Sequence, residues 1–392
     1  MKYKLSEICN IINGYAFKSS EYVDKGIRII RITNVQKGFI DDTSPQYYPV
    51  ERENEIIPYM LKEDDLLISL TGNVGRVGLL TSELLPAALN QRVACLRIKD
   101  ISKIKKKYLF YALNNILFED RCIFSAKGIA QKNMSTAWLG AYEIHVPSMT
   151  AQSYICEVLS RVDELLSLHN KQLLLLENLI KSRFVEMFGS PITNDKNLPI
   201  ASLGSCLQGI ENGKSFVCDS NSRTGKQPGV LKLSAATYGI YKPEENKAIL
   251  SADDFVEQAE VHAGDLLFTR KNTPELVGMS AYVWQTPEKL MMPDLIFRLI
   301  PNQQMHPIFL WKLINHDVFR CKIQELATGT AKSMSNISKE RLRNLEIIVP
   351  PIKLQNQFAD FVVQTDKSKL SIQQSIETLQ TLKAKLMQDY FG

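Results

Sequence analysis

The sequence predicts an α+β chain: two homologous mixed α/β heads separated by two long antiparallel helices, a dumbbell with pseudo-two-fold symmetry. Three observations predict it. The 392 residues repeat themselves at an offset near 200. Each copy passes from mixed, strand-rich sequence into a long apolar-periodic stretch. Only a short linker, residues 190–199, joins the first copy to the second. A single period of this length is domain duplication rather than a solenoid.

The repeat begins with Asp65-Leu66-Leu67-Ile68-Ser69 against Asp265-Leu266-Leu267-Phe268-Thr269. Ala126-Lys127-Gly128 faces Ala327-Thr328-Gly329, and Asn133-Met134-Ser135 faces Asn336-Ile337-Ser338. Glu143 to Pro147 (EIHVP) faces Glu346 to Pro350 (EIIVP), Gln152 faces Gln355, and Phe188-Gly189 faces Phe391-Gly392. The predicted domains are therefore 1–150, a first head; 151–189, a first helical spacer; 190–199, the linker; 200–352, a second head; and 353–392, a second spacer.

In the first head Ile27 to Val35, Leu66 to Leu70 and Arg92 to Ile98 read as strands by β-branched content and alternation. Tyr108 to Phe124 reads as one helix. In the second head Val230 to Leu233, Asp265 to Thr269, Tyr282 to Trp284 and Leu295 to Ile300 are the strands, and Pro307 to Leu326 is the helix. From Ala151 to Phe188 there is no Gly or Pro. Ile155, Leu159, Val162, Leu166, His169, Leu173, Leu176 and Ile180 follow the 4-3-4-3 spacing of a helical seam. Val158, Leu165, Leu175 and Leu179 widen that stripe. The second spacer carries Leu354, Phe358, Phe361, Val362, Ile372, Ile376, Leu379, Leu382 and Leu386. Because helix 151–188 ends near the second head and helix 354–391 starts from it, the two can pair only antiparallel. Thirty-eight residues make a rod of roughly 57 Å.

Composition narrows the function. With 45% apolar, 23% charged and 8% aromatic residues the chain is ordinary globular protein. No run of 18 uncharged apolar residues exists, and Met1 to Glu7 lacks a signal-peptide apolar region, so the expected location is cytoplasmic, without a membrane. Seven scattered cysteines without a C-x-x-C pair suggest neither a disulfide framework nor a zinc site. Basic residues outnumber acidic ones by 47 to 42, split as 25 against 22 in residues 1–200 and 22 against 20 in 201–392. Binding to nucleic acid would need local patches or a partner rather than bulk charge.

Signatures of catalysis are missing. Gly213-Lys214-Ser215 resembles the end of a P-loop, but Gln208 stands where the first glycine belongs. Gly72-Asn73-Val74-Gly75-Arg76-Val77-Gly78 lies between two strands and opens no helix, so it is a turn. No Asn-Pro-Pro-aromatic tetrapeptide occurs, and Pro293-Asp294 is not followed by a nearby Glu-x-Lys. The chain is expected to be non-catalytic, with no metal and no cofactor of its own.

Two unlike but homologous heads, each followed by a long helix, resemble the specificity (S) subunit of type I restriction–modification systems. The resemblance covers the whole chain. It rests on that arrangement and on Lys4-Leu5-Ser6-Glu7-Ile8, Gly72-Asn73-Val74-Gly75, Leu89-Asn90-Gln91-Arg92-Val93, Ile144-His145-Val146-Pro147 and Ile347-Ile348-Val349-Pro350-Pro351, with Gln152 and Gln355 just inside the helices. It implies that the heads are target recognition domains, each reading half of a bipartite, asymmetric site in double-stranded DNA. The helices would set the half-site spacing and dock two methyltransferase (M) subunits, and two restriction (R) subunits would join for cleavage. S-adenosylmethionine is then expected on the methyltransferase partner, and ATP and Mg on the restriction partner. A rod of roughly 57 Å caps the span at about 17 base pairs.

Polar and basic residues in glycine-marked loops are the candidate DNA contacts, because Arg and Lys suit guanine edges or phosphates and Asn and Gln suit adenine. They are Asn73, Arg76, Lys127, Gln131, Lys132 and Asn133 in the first head, and Lys214, Arg270, Lys271, Asn272, Lys332 and Ser333 in the second. Lys103 with Lys105-Lys106-Lys107 reads as a solvated turn. The candidate helix–helix and partner interface is Ile155, Leu159, Val162, Leu166, Leu173, Leu176 and Ile180 with Phe358, Val362, Ile372, Ile376, Leu379 and Leu386. The surplus apolar arc of the first helix argues for a docked partner. A different reading, a non-catalytic adaptor whose heads bind proteins, accounts equally for duplication and spacer; salt-dependent DNA binding separates the two.

Overall fold

The computed structural model describes residues 1–126, 133–328 and 334–392. The chain divides into two compact units, Met1–Asn170 together with Gln374–Gly392, and Lys171–Gln373.

In the first unit a four-stranded antiparallel sheet runs in the order Cys9–Asn13, Val93–Ile98, Leu66–Ser69, Val77–Leu79. Leu66–Ser69 is buried along its length because both faces are covered: Leu66 and Ile68 enter one apolar cluster and Leu67 another. That burial explains an unbroken apolar run where a half-exposed strand would alternate. A second sheet joins Tyr47–Tyr48, Ile27–Ile30 and Ala87–Leu89, the last two in parallel. Lys2–Lys4 pairs with Glu143–His145. Besides the single helical turn Leu5–Ile8, its helices include α1 (Lys106–Leu113), α2 (Ile116–Ser125), α3 (Thr136–Ala141) and the start of α4 (Met149–Phe188).

The second unit repeats this plan. Its four-stranded sheet is Leu207–Asn212, Ile296–Pro301, Leu266–Thr269, Ser280–Tyr282. Asn246–Ala248, Gly229–Leu231 and Leu290–Met291 form the three-stranded sheet, again with one parallel pair, and Ile200–Ser202 pairs with Glu346–Ile348. Besides the single helical turn Ser234–Thr237, its helices include α5 (Pro307–Ile314), α6 (Arg320–Glu325), α7 (Lys339–Arg343) and the start of α8 (Ile352–Phe391).

Within each unit α4 and α8 run antiparallel. Asp163 meets Lys383 at 2.5 Å in the first; in the second Glu177 accepts from Lys369, and the Phe184 ring meets that of Phe358. Rising numbers on one helix meet falling numbers on the other. Among the described residues no helix is long and apolar enough to cross a membrane.

Three expectations need correction. The single helices expected over Tyr108 to Phe124 and Pro307 to Leu326 are each broken in two. Asn115 breaks the first, donating to the Ala112 carbonyl at 2.6 Å and accepting from the Phe118 N–H at 2.9 Å, so its side chain caps a new helix inside an apolar run. In the second the His316 carbonyl accepts from the N–H groups of both Phe319 and Arg320 across the break. The strand expected to reach Val35 stops at Ile30, because Asn34 closes a turn through the Arg31 N–H and the Asp41 carbonyl. The helical stripe, finally, is not one seam. Ile155 and Leu159 belong to the core of the first head, with Leu66, Leu96 and Phe118. Ile180, Phe358 and Val362 belong to that of the second, with Phe268, Phe297 and Phe309. Val162 is buried too, whereas Leu166, Leu173, Leu176, Ile372, Ile376, Leu379 and Leu386 are half-buried. The periodicity is real, but at the helix ends it packs against the heads as well as against the other helix.

Candidate nucleic-acid interface

Each head carries the same two-part loop frame. The first part is the turn after the central strand. Ser69 Oγ accepts from the Arg76 N–H at 3.0 Å and donates to the Asn73 carbonyl at 2.5 Å, and Val74 is buried beneath. In the second head Thr269 Oγ1 donates to the Met279 carbonyl at 3.1 Å, with Val277 buried. Gly75 and Gly278 close these turns at φ +84° and +74°. A Cβ at Gly75 would lie 2.7 Å from Cys122 Cβ, and one at Gly278 2.3 Å from Ile323 Cγ2, so α2 and α6 pack too close for any side chain.

A second chain segment backs each turn. Thr71 bridges Asn133, and the Met134 N–H donates to the Leu70 carbonyl at 2.8 Å. Likewise Lys271–Asn272 pairs with Ser335–Asn336, and the Ile337 N–H donates to the Arg270 carbonyl at 2.8 Å.

The other part of the frame lies where the chain leaves the first strand of the four-stranded sheet. Gly14 crosses so close to Asn90 that a Cβ would sit 2.2 Å from its carbonyl carbon, and Gly213 crosses Met292 at 2.2 Å from its oxygen. Tyr15 and Lys214 then donate backbone N–H groups to the carbonyls of Leu89 and Met292, at 2.8 and 3.0 Å. The Lys-Ser after Gly213 thus runs along a loop and opens no helix. This frame has a sequence signal of its own: Gly14-Tyr15-Ala16-Phe17 recurs as Gly213-Lys214-Ser215-Phe216. Its offset of 199 falls just outside the matches that define the repeat.

On this frame the exposed polar side chains gather. In the first head Asn73 and Asn133 are exposed, as are Gln91 and Arg92, which the loop-based selection passed over; the Arg92 carbonyl accepts the Leu70 N–H at 3.0 Å, placing it beside the turn. Arg76 is half-buried and donates to Gln36 Oε1 at 2.5 Å, an amide rather than a carboxylate, so its charge is not neutralised there. In the second head Lys214 is exposed. Arg270 is half-buried, 5.1 Å over the Phe297 ring and 3.3 Å from Asn336 Oδ1. Lys271 lies 3.8 Å from Asp294, which also accepts from Ser215 Oγ at 2.5 Å. Asn272 does not fit the interface expected of it. It is buried, donating to Thr237 Oγ1 at 3.1 Å and accepting from the Thr273 N–H at 2.8 Å, so its amide is spent on holding the loop. Lys127, Gln131, Lys132, Lys332 and Ser333 lie outside the described residues. The Lys103 to Lys107 cluster, expected as a solvated turn, straddles the start of α1: Lys103 lies near Asp100, while Lys106 and Lys107 are in the first turn of the helix, with Lys106 near Asp64.

Comparison with known proteins agrees with this duplicated frame. The family of the type I restriction modification DNA specificity domain matches residues 1–178 and 210–382. The chain is 29% identical over 201 residues to the type I restriction enzyme EcoEI specificity subunit of Escherichia coli, covering 48% of this chain and 34% of that protein. It is 30% identical over 173 residues to the MjaVIII specificity subunit of Methanocaldococcus jannaschii, covering 43% and 40%. The chain thus spans well under half the length of these curated relatives. The fold is that of the crystal structure of a type I restriction–modification S subunit from M. genitalium, with a TM-score of 0.60 at 13% identity over 100% of this chain and 96% of that one. Matched in both of its copies, with the same frame built twice, this chain belongs to the type I restriction–modification DNA specificity family.

Proposed function

We propose that this chain is the DNA-specificity subunit of a type I restriction–modification complex, each head reading one half of a bipartite, asymmetric target in double-stranded DNA. The observation that carries this reading is the constancy of the frame beside the variability of what it displays. The same backbone bonds hold the same turns in both heads. At matching positions the side chains on them differ: Tyr15 and Ala16 stand against Lys214 and Ser215, and Gln91 and Arg92 against Asp294 and Leu295. Two different half-sites require this of two copies of one fold, since base edges are read by side chains on a fixed support.

Methyltransferase subunits would dock on the helices. Support comes from exposed leucines that neither head covers: Leu165 and Leu168 on the first-unit part of α4, and Leu174, Leu175 and Leu179 on the second-unit part. Their phosphate contacts would make up for a net charge of only +5. The reaction then belongs to the partners, which flip the target base out of the duplex. S-adenosylmethionine sits on the methyltransferase, ATP and Mg on the restriction subunits, and this cytoplasmic chain supplies selection alone.

Expression with its methyltransferase in a host lacking adenine methylation, followed by single-molecule mapping of N6-methyladenine, tests the proposal. A split, asymmetric motif should appear only when the chain is present, and exchanging residues 1–150 should rewrite one half of it. A complex that forms without methylating DNA, or an exchange that alters both halves, refutes the reading.

A further inference from the structure

We infer that Gln152 and Gln355 are positioning residues that hold each head at one angle on the helix behind it, and so restrict the gap between the half-sites to a single length. The inference rests on the bipartite reading above. Gln152 lies near the start of α4 with no exposed surface. Its Oε1 accepts from the Lys105 N–H at 2.8 Å, and its Nε2 donates to the carbonyls of Lys103 and Pro147, both at 2.9 Å. Gln355, near the start of α8 and equally buried, accepts from the His306 N–H at 2.8 Å and donates to the carbonyls of Gln304, at 3.0 Å, and Pro350, at 2.7 Å. The same three bonds are made twice, to equivalent backbone groups, in heads whose loops otherwise differ. A side-chain amide suits this place, with one acceptor and two donors on a single planar group, and glutamine carries it one methylene further from the helix than asparagine would. A carboxylate loses the donors, and an aliphatic side chain leaves a buried N–H and two carbonyls unpaired.

Each glutamine grips the backbone one residue before α1 or α5, the helix through which the head leans on its spacer. One grip would still let that helix pivot. A second grip lies about two turns further along. Tyr111 Oη on α1 donates to Asp163 Oδ2 at 2.9 Å, on the same helix α4 that carries Gln152; on α5 Lys312 Nζ faces Glu177 at 4.0 Å, which lies on α4, the helix paired with α8 in that unit. Two fixed points define an angle. With the angle set, the reading loops reach the duplex at a fixed distance along it, and each base pair of extra gap asks for about 3.4 Å of movement.

The test is the same methylation map, made with Gln152→Met and with Gln355→Met. Both half-site sequences should persist, while sites whose gap is one base pair longer or shorter gain methylation by about tenfold, the discrimination one lost buried hydrogen bond supplies. Tyr111→Phe, which removes one oxygen and leaves the core filled, should relax the gap in the same sense by less, and it decides the matter if the glutamine variants do not fold. Folded variants that keep one gap length and lose only thermal stability would show the glutamines to be merely structural. A parent chain that yields no two-part motif sinks the functional reading itself, a result the variants cannot mimic.

Discussion

At the scale of single residues each copy pairs the same aspartate with an arginine, although the two arginines come from different strand positions, Arg298 standing where the first head has Cys95. Arg97 grips Asp65 through Nε at 2.9 Å and Nη2 at 2.7 Å, and Asp65 also accepts the Lys62 N–H at 2.8 Å. Arg298 meets Asp265 at 3.0 Å, and Asp265 accepts the His262 N–H at 2.8 Å. Burial pushes the Asp265 carboxyl above its usual range, more than the His262 N–H and Arg298 pull it down. Such a pair adds little over an apolar one, but removing one partner strands the other. Asp65→Asn should therefore lower stability by about 2 kcal/mol, less than for a fully buried pair because Arg97 keeps 27% of its side chain exposed. Denaturant titration of the whole chain, followed by hydrogen exchange in the first unit, measures it, and an unchanged midpoint would contradict it. The acidic half of this pair was legible, since Asp65 and Asp265 head the clearest repeat in the sequence. The arginines were not, because a cross-strand partner 32 residues away leaves no local pattern.

Helix α5 shows what an element gains from its cap. His306 Nδ1 accepts the Ile308 N–H at 3.1 Å, so the ring must be neutral at that nitrogen. Burial holds its pKa below that of free imidazole, with Asp360 pulling the other way. Burial likewise lowers that of His316. A folded-state pKa depressed in this way leaves stability intact above about pH 6.5, where both states are neutral, and erodes it as pH falls below that and only the unfolded chain takes up protons. Hydrogen exchange should show the second unit loosening on acidification more than the first, where Lys105 occupies the position of His306. His306→Asn, a cap without a titration in this range, should remove the part due to His306; an acid response that survives unaltered argues against the cap. Periodicity found both long spacer helices to within two residues at each start, because forty residues of one pattern average out local noise. It merged α1 with α2 and α5 with α6, because a helix break needs only one asparagine or histidine whose backbone role appears in three dimensions.

For the whole molecule, the first unit is assembled from two stretches of chain and the second from one, which begins inside α4. The first head's core is completed by Leu386, Met387, Tyr390 and Phe391 of α8, and the second's by Ile180, Phe184 and Phe188 of α4. Phe391 meets the Tyr108 ring at 5.4 Å, and its counterpart Phe188 meets Phe309 at 4.8 Å. Phe188→Ala should cost about 3 kcal/mol and half-buried Phe391→Ala about 2, each confined to its own unit. Hydrogen exchange resolved along the sequence reads this out, and loosening of both units by either variant would be inconsistent with it. The antiparallel helices were legible from connectivity alone. The closing of each core by a spacer helix was not, since apolar periodicity records that a face is buried and not what buries it. During synthesis the consequence is a delay. Residues 386–391 leave the ribosome nearly 290 residues after Ile98, the last residue of the four-stranded sheet they help to cover, at 5–20 residues per second about 15–60 s later. For that interval the first head waits with its core open, and a chaperone that shields apolar surface on nascent chains has its longest opportunity there.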